Sequence, residues 1–228
     1  MHPDTPMFLY YSFLCLVLVV IVLCSRKLRK TFPEKNSYVY GFTLWFFLQY
    51  VAGSFGFFAV GLGQIPPKIM IVVVPNFLFI LYLAFSQKGE AIAKEFDLRF
   101  LTVMQSFRIF VELILWQLAD RQILPSVMSF EGRNFDILVG ISAPVVGYLY
   151  TKGTMNKSGL ILWNMAGLIL VTNVVVHGIL AVPGIEVIQT NIPNFIISYT
   201  PFNLLPGVLV PIAYLLHVLS LKKLLHHS

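Results

Sequence analysis

Residues 100–118 read FLTVMQSFRIFVELILWQL, an apolar run broken by only two charges, Arg108 and Glu112. As an α-helix the run would rise about 28 Å, close to the ~30 Å hydrocarbon core of a bilayer. Its two charges fall four residues apart and therefore share one helix face. Gln105, before Arg108, and Trp116, after Glu112, extend the same stripe. The run reads as a membrane span with one polar edge.

Six more apolar runs accompany it, at 7–24, 38–62, 69–85, 137–151, 160–182 and about 204–221. The expected fold class is all-α: a polytopic membrane protein of seven transmembrane helices. Residues 1–228 are expected to form a single helical bundle with no soluble domain. Composition points the same way. Asp, Glu, Lys and Arg make up 11% of the 228 residues, against about 25% in a typical soluble domain. So little charge cannot cover the surface of an ordinary cytosolic enzyme, and 57% hydrophobic residues exclude disorder. The two cysteines, Cys15 and Cys24, share one run. On a helix they stand about 13 Å apart along the axis and cannot bond to each other.

Basic residues set the expected orientation. Loops on one side hold Arg26, Lys27, Arg29, Lys30, Lys35, Lys88, Lys94, Arg99, Lys152, Lys157, Lys222 and Lys223. The other side holds Lys68, Arg121 and Arg133. The richer side is expected to be cytoplasmic. That puts the N-terminus outside and the C-terminus inside, in a plasma (inner) membrane. No basic stretch precedes the first run and no small-residue cleavage pattern follows it, so it reads as a retained helix. The net charge of +6 does not imply nucleic acid, because the basic residues lie between apolar runs.

Two segments interrupt the alternation of span and loop. Residues 87–99 mix apolar and charged positions with helical spacing. They suit a cytoplasmic extension of the fourth span or a short interfacial helix. Residues 183–203 hold one charge, Glu186, and the prolines Pro183, Pro193 and Pro201; Pro206 and Pro211 follow. This segment reads either as an outer loop with Phe195, Tyr199 and Phe202 at headgroup depth, or as a re-entrant stretch against a cavity.

A charge at mid-bilayer costs about 2.5–3.5 kcal/mol on insertion scales. Arg108 and Glu112 are therefore expected to pair, face the bundle interior or meet water. A second polar cluster, 131–136, lies at the mouth of the fifth span. Asn134 or Asp136 suits a helix N-cap there, and the short connection should place Arg133 and Asp136 above the Arg108–Glu112 stripe. In the sixth span Asn173 and His177 share a face, with Asn164 roughly opposite. The candidate polar site is thus Gln105, Arg108, Glu112, Arg133, Asn134, Asp136, Asn173 and His177. His217, near the inner end of the seventh span, stands apart from it. Each candidate also has a plain structural role: an ion pair, a capped turn, a hydrogen-bonded histidine.

No metal is expected, since His-x3-His, H-E-x-x-H and paired cysteines are absent from the sequence. No cofactor is expected either: there is no phosphate-binding glycine loop and no nucleophile elbow. The last span also lacks the lysine that a retinal Schiff base requires. The function expected is transport or binding of a small solute or ion through a polar site inside the bundle, with the lipid bilayer as the other partner. Seven spans divided three, one, three place Pro75 and the pair Pro206 and Pro211 in corresponding positions. That topology resembles some sugar and vitamin transporters built from parallel repeats. One alternative is a membrane-embedded enzyme acting on a lipid or isoprenoid. Glu112 or Asp136 would then be the acid or base, and Arg108 or Arg133 would hold a phosphate or carboxylate. The other alternative is a non-catalytic scaffold or sensor.

Overall fold

In a computed structural model, which describes residues 2–226, every apolar run is wholly or largely helical. No strand occurs among the described residues. The first two helices are α1 (Met7–Thr31) and α2 (Asn36–Ser54). The second run was expected to continue to residue 62. It ends earlier because Gly53, Ser54 and Gly56 fall together. Gly56 takes a φ of 72°, which closes the helix, and residues 55–63 follow as turns.

Helices α3 (Met70–Phe85) and α4 (Gln87–Glu95) meet at a bend of 81°. Ser86 caps α4 by accepting from the Gly89 amide at 3.1 Å. The corner requires glycine, since a Cβ at Gly89 would lie 1.8 Å from the Leu83 carbonyl oxygen. Residues 87–95 are thus a separate short helix. The deciding stretch follows as α5 (Leu98–Val103), one 3-10 turn (Met104–Ser106) and α6 (Phe107–Asp120). The chain ends with α7 (Ile137–Thr151), α8 (Lys157–Leu180), a wide π turn (Leu205–Leu209) and α9 (Val210–His226).

Three helical stretches, Met7–Thr31, Lys157–Leu180 and Leu205–Leu225, are long and apolar enough to cross a membrane. The bent pair of α3 and α4 makes a fourth if it is counted as one span. Large apolar side chains face outward along several helices: Phe8 and Tyr11 on α1, Phe47 on α2, Leu78 on α3, Val145 on α7 and Ile169 on α8. In water such a surface would drive association; against lipid it is at no disadvantage.

Helix α9 is the centre. It packs against α3, α4, α5 and α8, and its apolar side chains from Leu209 to Leu224 supply much of the core. Its last turns also serve as caps. Lys222 Nζ donates to the carbonyls of Ala84 and Ser86 at 2.8 and 2.9 Å, closing the end of α3. Lys223 Nζ donates to Lys94 and Phe96 at 2.8 and 2.5 Å, closing the end of α4. Cations at helix C-termini satisfy orphan carbonyls and complement the dipole.

The start of α9 is broken, and its freed backbone is satisfied from outside. Pro211 has no amide to give to the Gly207 carbonyl. Trp45 Nε1 and Asn76 Nδ2 donate to that oxygen instead, at 3.0 and 3.1 Å. The preceding segment packs inward: Asn194, Ile196, Ser198, Thr200, Phe202 and Asn203 are all buried. Phe202 rests on Phe13 of α1, with ring centroids 4.9 Å apart. The second half of residues 183–203 is therefore largely buried in the bundle.

Near the start of α5, Asp97 pairs with Lys27 of α1 and accepts from the Phe100 amide at 2.6 Å. Partial burial works to raise the Asp97 carboxyl. The bonds from Lys27 and the Phe100 amide outweigh it and hold the group below its usual value of 3.8. A depressed folded value means that the ionised form stabilises the fold above about pH 3.8 and that the contribution is lost as pH falls through the folded value. Asp97→Asn keeps a good cap and removes the charge. It should lower the melting temperature slightly at pH 7, as a half-exposed pair would. The gap from wild type should close below pH 3.8, read by thermal unfolding in detergent.

Candidate functional site

Arg108 is the second residue of α6 and is 2% exposed. The expected partner on its own helix, Glu112, does not hold it. Arg108 Nε donates to Asp136 Oδ2 at 2.5 Å, and Nη2 donates to Asp136 Oδ1, a bidentate pair between α6 and the start of α7. The remaining nitrogen, Nη1, lies 3.0 Å from His217 Nε2 on α9. A guanidinium only donates, so His217 Nε2 accepts and the ring proton sits on Nδ1. That proton goes to Asn164 Oδ1 on α8, at 2.9 Å. Asn164 Nδ2 returns to its own helix, donating to the Leu160 carbonyl at 2.8 Å. One cation thus ties together α6, α7, α9 and α8.

Small residues make the approach possible. A Cβ at Gly167 would stand 2.4 Å from His217 Nε2, so the imidazole lies directly over that glycine. A Cβ at Gly140 would stand 2.8 Å from the Ile109 amide nitrogen, which lets α7 come against α6 beside Arg108. The Trp163 ring lies 5.4 Å from His217, and its indole N–H donates to Ser142 Oγ at 2.9 Å.

Glu112 is 1% exposed and belongs to the same assembly by another route. Its Oε2 accepts from Asn134 Nδ2 at 2.7 Å. Asn134 Nδ2 also donates to the Met128 carbonyl at 2.9 Å, and Asn134 Oδ1 accepts from the Asp136 amide at 3.0 Å. Neither Asn134 nor Asp136 caps α7. Asp136 holds the N-cap position with no side-chain cap bond, because its carboxylate is committed to Arg108. Asp136 balances Arg108, and among the described residues no cation lies within ion-pairing distance of Glu112.

Four of the eight expected residues therefore meet: Arg108, Glu112, Asn134 and Asp136. Gln105, one turn earlier, is fully buried and donates to the Ala213 carbonyl at 3.1 Å, while its Oε1 has no partner. The other three form a separate outer set. The Arg133 side chain is exposed and does not sit with Asp136; its carbonyl accepts from Asn173 Nδ2 at 2.6 Å. His177 Nδ1 bonds the Asn173 carbonyl at 2.8 Å on its own helix. Asn164 and His217 were not among the expected site residues. The signal for Asn164 was its face: it shares a side of α8 with Gly167, Val171, Val174 and Gly178, buried residues that follow one another at intervals of three or four. His217 repeats that pattern between Tyr214 and Ser220, both buried.

An apolar cleft of about 70 Å³ opens between α3, α8 and α9. Its walls include Met128, whose carbonyl accepts from Asn134, and Tyr214, three residues before His217. Among the described residues no group of three His, Cys, Asp or Glu is arranged to hold a metal.

Fold and site together define an all-helical, largely apolar chain with a charge network sealed in its middle. The chain belongs to the family described as Domain of unknown function (DUF8737), which matches residues 65–225. Every residue of the network lies within that stretch. No curated protein and no solved structure matches the chain.

Arg108→Met would leave the Asp136 carboxylate buried without its cation, a loss of about 3–5 kcal/mol. Replacing both, Arg108→Met with Asp136→Leu, should recover most of that in chemical unfolding. A double variant no more stable than either single one would refute the pairing. Gly167→Ala should destabilise through its clash with His217. Gly41→Ala on α2, with nothing within 4 Å of the new Cβ, should not.

Proposed function

We propose that this chain is a seven-span protein of the plasma (inner) membrane, N-terminus outside and C-terminus cytoplasmic, that binds and moves a small solute or ion at the Arg108–Glu112 network. The membrane reading is supported by the three long apolar helices, the outward apolar side chains and the uneven distribution of Lys and Arg. The three-one-three division remains the partition that would relate the two outer triplets of spans.

The observation that carries the site is Glu112. It is a buried carboxyl held by an asparagine amide, with no cation within ion-pairing distance among the described residues, while the neighbouring Arg108 is paired with Asp136. Buried charge is costly unless paired. Glu112 is therefore the group whose charge a proton, an inorganic cation or a solute amine would meet. Asn134 bonds Glu112, and its carbonyl oxygen receives the Asp136 amide, so loading Glu112 is felt at the Arg108 pair one residue away. That is the linkage a coupled carrier needs.

One observation favours the scaffold reading: all three faces of the Arg108 guanidinium are occupied by protein, as in a structural pin. The lipid-enzyme reading draws less support, because Arg133 is exposed while Asp136 is buried on Arg108.

Reconstituted liposomes separate the first two. With a pH-sensitive dye inside and a potassium diffusion potential imposed, the wild type should carry protons or exchange Na⁺ or K⁺ for them, and Glu112→Gln should abolish the flux without loss of folded protein. Equal flux in Glu112→Gln refutes the site. A wild type without flux, combined with a loss of folding yield in Arg108→Ala, supports the scaffold. Orientation has its own check. In a cysteine-free background, Lys157→Cys should react with an impermeant maleimide only from the cytoplasmic side and Arg133→Cys only from outside.

A further inference from the structure

Where α2 meets the broken start of α9, three buried oxygens face one seam: Gln49 Oε1, Thr200 Oγ1 and Asn203 Oδ1. None has a hydrogen-bond partner, and their residues are 5%, 2% and 0% exposed. Buried acceptors in folded proteins ordinarily find donors. Here the nearby amide is already spent, since Asn203 Nδ2 donates to the Gln49 carbonyl at 2.8 Å.

Gly53 shows that two of these oxygens converge. A Cβ on Gly53 would lie 2.4 Å from Thr200 Oγ1 and 2.7 Å from Asn203 Oδ1, so the two atoms are no more than about 5 Å apart. Gln49 lies one turn earlier on the same face of α2. Its Oε1 is 3.3 Å from the point a Gly207 Cβ would occupy, and Gly207 is one turn after Asn203. At Gly53 the missing side chain leaves room beside the two oxygens, and at Gly207 the Val72 methyl stands beside Gln49 Oε1.

We propose that this seam binds a monovalent cation, with Na⁺ preferred to K⁺. The ligands are hard oxygens, as alkali and alkaline-earth ions require. All three are neutral, which suits a single charge; divalent ions draw carboxylates, and the cluster has none. The site lies at an interrupted helix, where membrane carriers coordinate such ions with side chains and unwound backbone. The two oxygens across Gly53 lie within about 5 Å of each other, close enough for one ion to touch both. The inference stands apart from the Arg108 network, which uses none of these residues.

The test is the melting temperature of the full chain in detergent, titrated with NaCl, KCl or choline chloride at constant ionic strength. Binding to the folded state alone raises stability with ion concentration. NaCl should therefore raise the melting temperature saturably, KCl less, and choline not at all. Thr200→Val should raise the half-saturating Na⁺ concentration at least tenfold, Thr200→Ser should keep it near wild type, and Gly53→Ala should abolish the response. Should Thr200→Val not fold, Asn203→Asp takes its place and should tighten Na⁺ about tenfold. Equal melting in all three salts overturns the proposal and assigns the seam to water. A Na⁺ response unchanged by both Thr200→Val and Gly53→Ala, or by Asn203→Asp, places the ion elsewhere and overturns it too.

Discussion

The guanidinium of Arg108 is the constraint on which the rest of the bundle depends. It is the one fully buried cation among the described residues, and it cannot shed its charge. Everything around it follows from satisfying five N–H donors in a fixed fork. Asp136 must leave its helix end uncapped to reach it. His217 must present an acceptor, which fixes its tautomer and requires an oxygen at Nδ1. Asn164 supplies that oxygen, and Gly167 yields the space. Four helices are thereby held in one register by a polar interaction. This matters more in lipid than in water, because apolar packing there distinguishes one helix arrangement from another only weakly.

The same accounting governs the backbone. Pro211 removes an amide from the last helix, and neighbouring elements answer the loss; other carbonyls at helix ends are closed in the same way. Trp45 and Asn76 reach the Gly207 carbonyl from α2 and α3. Lys222 and Lys223 reach back from α9 to the ends of α3 and α4. These lysines carry two roles at once. Their charge complements the dipoles of two helix ends, and their protons satisfy carbonyls that would otherwise be left open.

Much of this was legible in the residues alone. Apolar length located the long helices, and the three-and-four spacing put Gln105, Arg108 and Glu112 on one buried face. What spacing could not reveal was partnership. Residues four apart on a helix invite pairing, yet the bidentate pair is made across helices by Asp136, which approaches the guanidinium side-on through Nε and Nη2. The polar turn at 131–136 was visible as a cluster, but not its division, with Asn134 and Asp136 drawn inward and Arg133 left out. On α8 the periodicity set Asn173 and His177 on one face and Asn164 roughly opposite. Asn173 and His177 look inviting together, but it is the glycine face of Asn164 and Gly167 that packs against α9. A small residue was the better guide to burial than a polar pair. The early end of α2 came from local backbone chemistry at Gly53, Ser54 and Gly56, which hydropathy does not register.

Helix α9 gives the two polar centres a common mechanical element. Its middle carries His217, bound into the charge network. Its broken start carries Asn203 and Gly207, against α2 and α3. Between them lie the wide π turn and Pro211, where the ladder of backbone bonds is already interrupted and held by side chains of other helices. A segment fastened by Trp45 and Asn76 can change its bonding without unwinding a regular helix. The stretch from Val210 onward, packed on α3, α4, α5 and α8, has no such freedom. The interrupted backbone bonding is therefore confined to the start of α9, while His217 of the Arg108 assembly sits on its regular part. The apolar cleft beside α9 is bounded by both parts, with Leu205 and Pro206 on one side and Tyr214 on the other. A change in the broken start would alter that cleft first, and the network only through Tyr214 and Met128.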